Sequence, residues 1–153
     1  MIEKIFKEQY EAVADHYNCH DFLDELFQDY RLEAQGSGRY HHAYAGGNIV
    51  HCAQMLTVLE KVRHMLDIDI WIVKLAIIIH DSFKGIDDGR NHIPKICDYV
   101  VEKCPINIDI SHLVHLVASH HGRQGWGALE EPRTKEAWCL HLLDMMCSQV
   151  ITE

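Results

Sequence analysis

Apolar residues recur at spacings of three and four along most of the chain, the period of helices that bury one face. Residues 2–17 carry Ile2, Ile5, Phe6, Tyr10, Val13 and Tyr17 in one stripe, and 21–33 repeat the pattern with Phe22, Leu26, Phe27 and Tyr30. The turn-rich stretch AQGSGRYHHAYAGG predicts a loop over about 34–47. A long helix fits 48–66, with Ile49, Ala53, Leu56, Leu59, Val62 and Leu66 turned inward. Asp67 or Asp69 is placed to cap the next helix, which runs towards Asp81. GIDDGRN at 85–91 reads as a polar loop, and Pro94 suits the first turn of a helix over 93–103. Asp109 or Ser111 starts another, which ends near His121 with Gly122 as its stop. After the loop GRQGWGALEEPR, Thr134 opens a last helix to about 150. Ile77–Ile79 are β-branched, but the flanking period favours a buried helix. The pattern predicts an all-α fold, a single compact helical bundle over 1–153, with an N-terminal helical pair in 1–35 as a cap.

A chain of 153 residues can bury a core without disulfides. Lys and Arg number 14 against 23 Asp and Glu, a formal charge of −9, which argues against a general binder of duplex nucleic acid. It leaves room for a small phosphorylated substrate, because bound cations change the local charge. The six Cys form no C-x-x-C pair, so they read as buried free thiols of a reducing compartment. The opening MIEKIFKEQYEAV is amphipathic and acidic, unlike a signal peptide. The longest apolar runs, IWIV and LAIII, are split by Lys74 and fall far short of a membrane span. A cytoplasmic protein is expected. The apolar stripe of the first two helices leaves two readings open, a homodimer contact or a cover for the core.

Histidine changes the picture. There are 13, as many as Leu, and His is the commonest metal ligand. His51 lies early in the long helix, His80 and Asp81 end the next, His92 follows the polar loop, His120 and His121 end a further helix, and Asp144 sits in the last. Separate elements supplying inward ligands is how a bundle builds a metal site. Neighbours on a helix point about 100° apart, so His80–Asp81 and His120–His121 can each serve one centre only at a helix end or by serving two ions. A carboxylate can bridge two cations, which makes Asp81 the natural bridge. His16, His20, His64, His112, His115 and His141 read as surface or core-edge residues. Asp144, among Leu140, Leu142, Leu143, Met145 and Met146, needs a partner.

The order His51, His80–Asp81, His92, His120–His121, Asp144 resembles the HD-domain metal-dependent phosphohydrolase superfamily, with HDSFK standing for the HDxGK signature and Phe83 in the place of its Gly. YHHAYAGGNIVH and SHHGRQGWG followed by EPRTKEAWCLHLLD are similar to tracts of the HD domain of OB-fold-containing bacterial 3′-to-5′ exoribonucleases. The matched motifs span about 40–147, the expected metal-binding core. Cys147 and Gln149 stand where that group is expected to carry Asp and Lys.

The resemblance implies a binuclear centre. One metal is expected on His51, His80, Asp81 and Asp144, the other on Asp81, His92, His120 and His121. The nitrogen and oxygen donors suit two divalent transition-metal ions, Fe, Mn, Ni, Co or Zn. A metal-bridging hydroxide is expected to hydrolyse a small phosphate mono- or diester, nucleotide-like or a short oligonucleotide. Asp81 and Lys84 are the expected catalytic residues, with Lys84 on a phosphate oxygen or the leaving group. His41, His42, Arg123 and Trp126 are the candidates for substrate binding. Two rival readings use the same residues: a di-iron HD-domain oxygenase, and a catalytically silent ligand-sensing module.

Overall fold

The computed structural model describes residues 1–29, 47–85 and 91–151. These form seven α-helices: α1 (Ile2–Tyr17), α2 (His20–Asp29), α3 (Gly47–Val62), α4 (Ile70–Ile79), α5 (His92–Lys103), α6 (Ile110–Ser119) and α7 (Lys135–Gln149). Short 3₁₀ turns follow α3 and α4 and interrupt the loop before α7. No strand occurs among the described residues. The all-α expectation holds, and each boundary has a local cause. Asp69 accepts from the backbone N–H groups of Trp71 and Ile72, Asp109 from that of His112, and Thr134 from that of Ala137. Of the two proposed cap pairs, Asp67 and Ser111 lose. Asp67 instead pairs with Lys135 across 2.7 Å. Gly122 follows α6 at φ +87°, a conformation that disfavours any Cβ. The part of the second predicted helix beyond Asp29, and most of the 34–47 loop, lie outside the described residues.

The bundle is organised around α4. Eight of its ten residues are buried, on every side of the helix, as expected for a helix apolar around its whole circumference. It packs against α1, α3, α6 and α7. The stripe of α1 and α2 faces inward: Phe6, Tyr10, Val13, Phe22, Leu23 and Leu26 are buried. Of the two readings of that stripe, the core cover is the one realised. Tyr10 donates to Asp24 at 2.6 Å and Tyr99 to the Phe22 carbonyl at 2.8 Å, fastening α1 and α5 to α2. All six cysteines are free thiols, five of them buried. No helix among the described residues is long and apolar enough to cross a membrane.

Lys74 is the exception in the apolar centre. It is buried, its ammonium is paired with Glu60, and it lies 4.9 Å from the centre of the Trp71 ring. Burial pushes the Glu60 carboxyl up, but hydrogen bonds from Lys74 and Arg63 outweigh this and hold it below its ordinary 4.5. A carboxyl lowered in the folded state stabilises above that ordinary value and loses its contribution as pH falls below it. Glu60→Ala strands a buried charge and is expected to cost about 1–3 kcal/mol at pH 7. Chemical denaturation should show the gap to the parent narrowing on acidification; an equal gap at pH 7 and below pH 4 would contradict the pairing.

Candidate metal centre

The two ligand pairs lie where their helices stop. His80 follows the last residue of α4 and Asp81 comes next; His120 and His121 follow α6 in the same way. The turn out of the helix removes the obstacle that 100° steps would impose on adjacent ligands. It also places two helix C-termini, each carrying partial negative charge, at one point, a setting that favours cations. α3 contributes His51, α5 contributes His92 as its first residue, and α7 contributes Asp144.

All seven predicted ligands come together. Asp81, His92, His120 and His121 each offer an atom such that all four lie within 4.8 Å of one another, and so do His51, His80 and Asp81. Asp81 belongs to both groups. Asp144 lies 2.8 Å from His51 and 3.9 Å from His80, beside the second group. The Asp81 carboxylate is approached by Nε2 of His80 at 3.3 Å, of His92 at 3.3 Å and of His120 at 3.4 Å, and by Lys84 Nζ at 2.9 Å.

The imidazoles are held from behind. His80 Nδ1 donates to the Ile77 carbonyl at 2.7 Å, His120 Nδ1 to Val117 at 2.6 Å, and His121 Nδ1 to Trp126 at 2.9 Å. With Nδ1 donating to a carbonyl, the neutral form of each ring has its lone pair on Nε2, the arrangement that backs metal-ligating histidines. The Nε2 atoms of His80 and His120 and Oδ1 of Asp81 are buried with no hydrogen bond of good geometry. Buried polar atoms left so are costly. Three of them facing one point, from a nitrogen and oxygen donor set, fit divalent cations.

The protonation balance agrees. Burial lowers the His120 imidazole to about 3, and burial also holds His121 below its ordinary value, so both rings are held neutral, the form a metal ligand requires. Burial pushes Asp81 up, but the charges of His80 and Lys84 outweigh it and hold the carboxyl well down. Burial likewise pushes Asp144 up and is overcome by the His51 hydrogen bond and the His80 charge. His80 is held above its ordinary value; burial opposes this, and the neighbouring Asp81 charge wins.

The other candidates are placed as follows. Lys84, in the 3₁₀ turn after Asp81, is mostly buried and bonded to Asp81. Phe83, standing where the signature has Gly, is buried beside Tyr99, with ring centres 6.3 Å apart. Arg123 and Trp126 lie together in the loop after His121, the guanidinium 3.6 Å from the ring centre. His41 and His42 lie outside the described residues. His112 pairs with Thr134, and His115 donates to Glu130 while accepting from the Arg133 backbone. A further group, Glu11, Asp15 and His20, is surface-exposed and closed by a 2.9 Å contact between His20 and Asp15.

His141 is the residue the sequence did not single out. It is buried, and its Nδ1 donates to the His120 carbonyl at 2.9 Å. Its sequence signals were its place one turn before Asp144 and inside the matched tract EPRTKEAWCLHLLD.

Comparison with known proteins bears on this geometry. The chain is 29% identical over 149 aligned positions to the 3′-5′ exoribonuclease YhaM of Shouchella clausii, covering 84% of this chain and 46% of that protein. For the protein of the same name from Oceanobacillus iheyensis the identity is 28% over 138 positions, covering 78% and 44%. For that from Listeria welshimeri it is 25% over 146, covering 84% and 47%. The chain is related to the YhaM exoribonucleases. It spans just under half the length of these relatives. The resemblance read from the His and Asp tracts thus has its counterpart across some four-fifths of the chain. No family model matches, and no solved structure matches.

Gly122 tests how tightly the centre is framed. A Cβ there would lie 2.4 Å from His141 Cε1, at a φ of +87°. Gly122→Ala is expected to destabilise by about 1–3 kcal/mol and to lower the metal affinity by displacing His141 from the His120 carbonyl. A variant with unchanged thermal midpoint and metal affinity would contradict this packing.

Proposed function

We propose that this chain is a metal-dependent phosphohydrolase of the phosphodiesterase type, with two divalent transition-metal ions held on either side of Asp81. The observation that carries the reading is the pair of ligand groups sharing that one carboxylate. His51, His80, Asp81 and Asp144 would hold one ion; Asp81, His92, His120 and His121 would hold the other. Fe, Mn, Ni, Co and Zn all suit these donors. Such ions supply a water nucleophile near neutral pH and positive charge for phosphate oxygens.

The chain's own residues bind and orient the substrate. Lys84 stays protonated: burial opposes this, but the charges of Asp81 and Asp144 outweigh it. Its ammonium, on a mostly buried side chain bonded to Asp81, lies beside the candidate ligand cluster, placed to donate to a phosphate oxygen. Arg123, its guanidinium 3.6 Å from the centre of the Trp126 ring, offers a second cation beyond His121. Residues 40–147 are the proposed metal-binding core, and His41 and His42 are proposed from the sequence as substrate-binding residues. The substrate is a nucleotide-like phosphoester. The relatives' name, exoribonuclease, makes the 3′ end of a short oligoribonucleotide the first one to try beside a small generic diester.

Metal content of anaerobically purified protein tests the scheme. Two ions per chain are expected, both lost in Asp81→Ala and one in His92→Ala. Retention of the full complement in Asp81→Ala would refute the shared bridge. Lys84→Ala is expected to keep its metal and lose roughly 100-fold in turnover of bis(p-nitrophenyl) phosphate; unchanged turnover would make Lys84 structural. Metal uptake by the metal-free protein should release protons, and more of them as pH falls from 8 to 6, because the raised His80 must deprotonate to ligate. Iron-loaded protein that consumes O₂ and cleaves no phosphoester would contradict hydrolysis.

A further inference from the structure

Helix α7 is apolar on both sides. Its inner face buries Ala137, Leu140, Leu143 and Cys147. Its outer face leaves Trp138 49%, Leu142 58% and Met146 44% exposed, and Val150, which caps it, 76%. These four stand four residues apart and form one ridge along the helix. A helix apolar around its circumference belongs between two layers. α4 has both of its layers, whereas α7 has one. Trp126 adjoins the start of the ridge, since its ring and that of Trp138 lie 6.5 Å and 6.0 Å from His141. Met65, Val101 and Ile106, also exposed, are scattered over separate elements.

The ridge also lacks charge. From Ala137 to Val150 the chain carries no Lys, Arg or Glu, and its one Asp, Asp144, points inward to His51 at 2.8 Å. A nucleic acid or an anionic membrane would need cations that this face does not have. Two copies of a chain with a net charge of −9 repel over most of their surface, and an uncharged ridge is where they meet at least cost. The open surface of Trp126, Trp138, Leu142, Met146 and Val150 comes to roughly 550 Å² per copy, at the upper end of what a monomer leaves exposed. Two copies would cover roughly 1,100 Å² of it. With about 60% of an interface apolar, the whole contact reaches roughly 1,800 Å², the size of a stable dimer contact.

We propose that this face is the contact of a symmetric homodimer, in which the α7 helices of two copies pack antiparallel about a two-fold axis. The register follows from the spacing. A pair centred between Leu142 and Met146 sets Trp138 against the partner's Val150 and Leu142 against the partner's Met146, so the largest side chain meets the smallest. Residues four apart form ridges, and two such ridges interdigitate at a crossing angle of about −50°, the commonest class of helix packing. The antiparallel sense opposes the two helix dipoles. A parallel pair would instead set indole on indole and like end on like end. The contact uses the same patch on both copies, so it closes at two. It also braces, from outside, the helix that carries Asp144 and His141. Dimer formation does not depend on the reaction proposed above.

Analytical ultracentrifugation of the full chain over a wide concentration range tests this. The parent is expected to sediment as a dimer that dissociates on dilution, with tryptophan emission moving to longer wavelength over the same range as Trp126 and Trp138 meet water. Leu142→Glu and Met146→Lys should each raise the dissociation constant at least about 100-fold, because each buries a charge without a partner. Far-UV circular dichroism checks that both keep their helices. Mixed in equal amounts, the two variants should recover the dimer, since the antiparallel register brings the two opposite charges together at one contact and leaves Leu142 against Met146 at the other. Ile106→Glu, at a side chain 97% exposed away from α7, should change nothing. A parent that stays monomeric at every concentration, or that grows beyond a dimer, would overturn the proposal. So would a dimer that Leu142→Glu leaves intact, or a mixture no better associated than its parts. Dilution of the parent reads the contact without any substitution, so the outcome stands even if a variant misfolds.

Discussion

The structure depends on one buried carboxylate. Asp81 is withdrawn from water and is reached by three imidazoles and an ammonium within 3.4 Å. Leaving a carboxylate in such a place without compensation costs several kcal/mol. The compensation has to come from four elements at once: the end of α4, the 3₁₀ turn that follows it, the start of α5 and the end of α6. This constraint explains why the most apolar helix of the chain, α4, ends on a charged residue. Its apolar circumference drives the helix into the middle of the bundle, and the carboxylate at its end is carried there with it.

Helix ends supply the second half of the arrangement. The last carbonyls of an α-helix have no partner within it. In α4 and α6 these are used in the same way: Ile77 and Val117 each accept from the imidazole three residues on. The orphaned backbone is satisfied, the tautomer is set, and Nε2 turns towards Asp81, all by one hydrogen bond. His121 takes its support from the loop after α6 instead, through the Trp126 carbonyl.

Much of this was legible in the chain. The capping residues Asp69, Asp109 and Thr134 and the stop at Gly122 mark helix ends by chemistry that acts over a few residues, so sequence reveals them. The convergence of the seven candidate residues was legible as a set because each falls at an element end or on an inward face. Three features were not. Lys74 reads as a charge that interrupts an apolar run, yet it is buried, because its partner Glu60 comes from another helix. His141 reads as an ordinary core-edge histidine, and its part in holding His120 depends on how α7 crosses the end of α6. Trp138 is not singled out by the sequence pattern, and only the packing of α7 leaves it half-exposed. Each of these is a relation between elements distant in sequence, which local periodicity does not carry.

The account rests on two cations sharing Asp81, and the most direct measurement is an anomalous-scattering map from crystals of the metal-loaded protein, recorded at the edge of the metal used. Two peaks are expected, one on each side of the Asp81 carboxylate, the first among His51, His80 and Asp144 and the second among His92, His120 and His121. A single peak that leaves His92, His120 and His121 without a metal, or no peak at all, would contradict it.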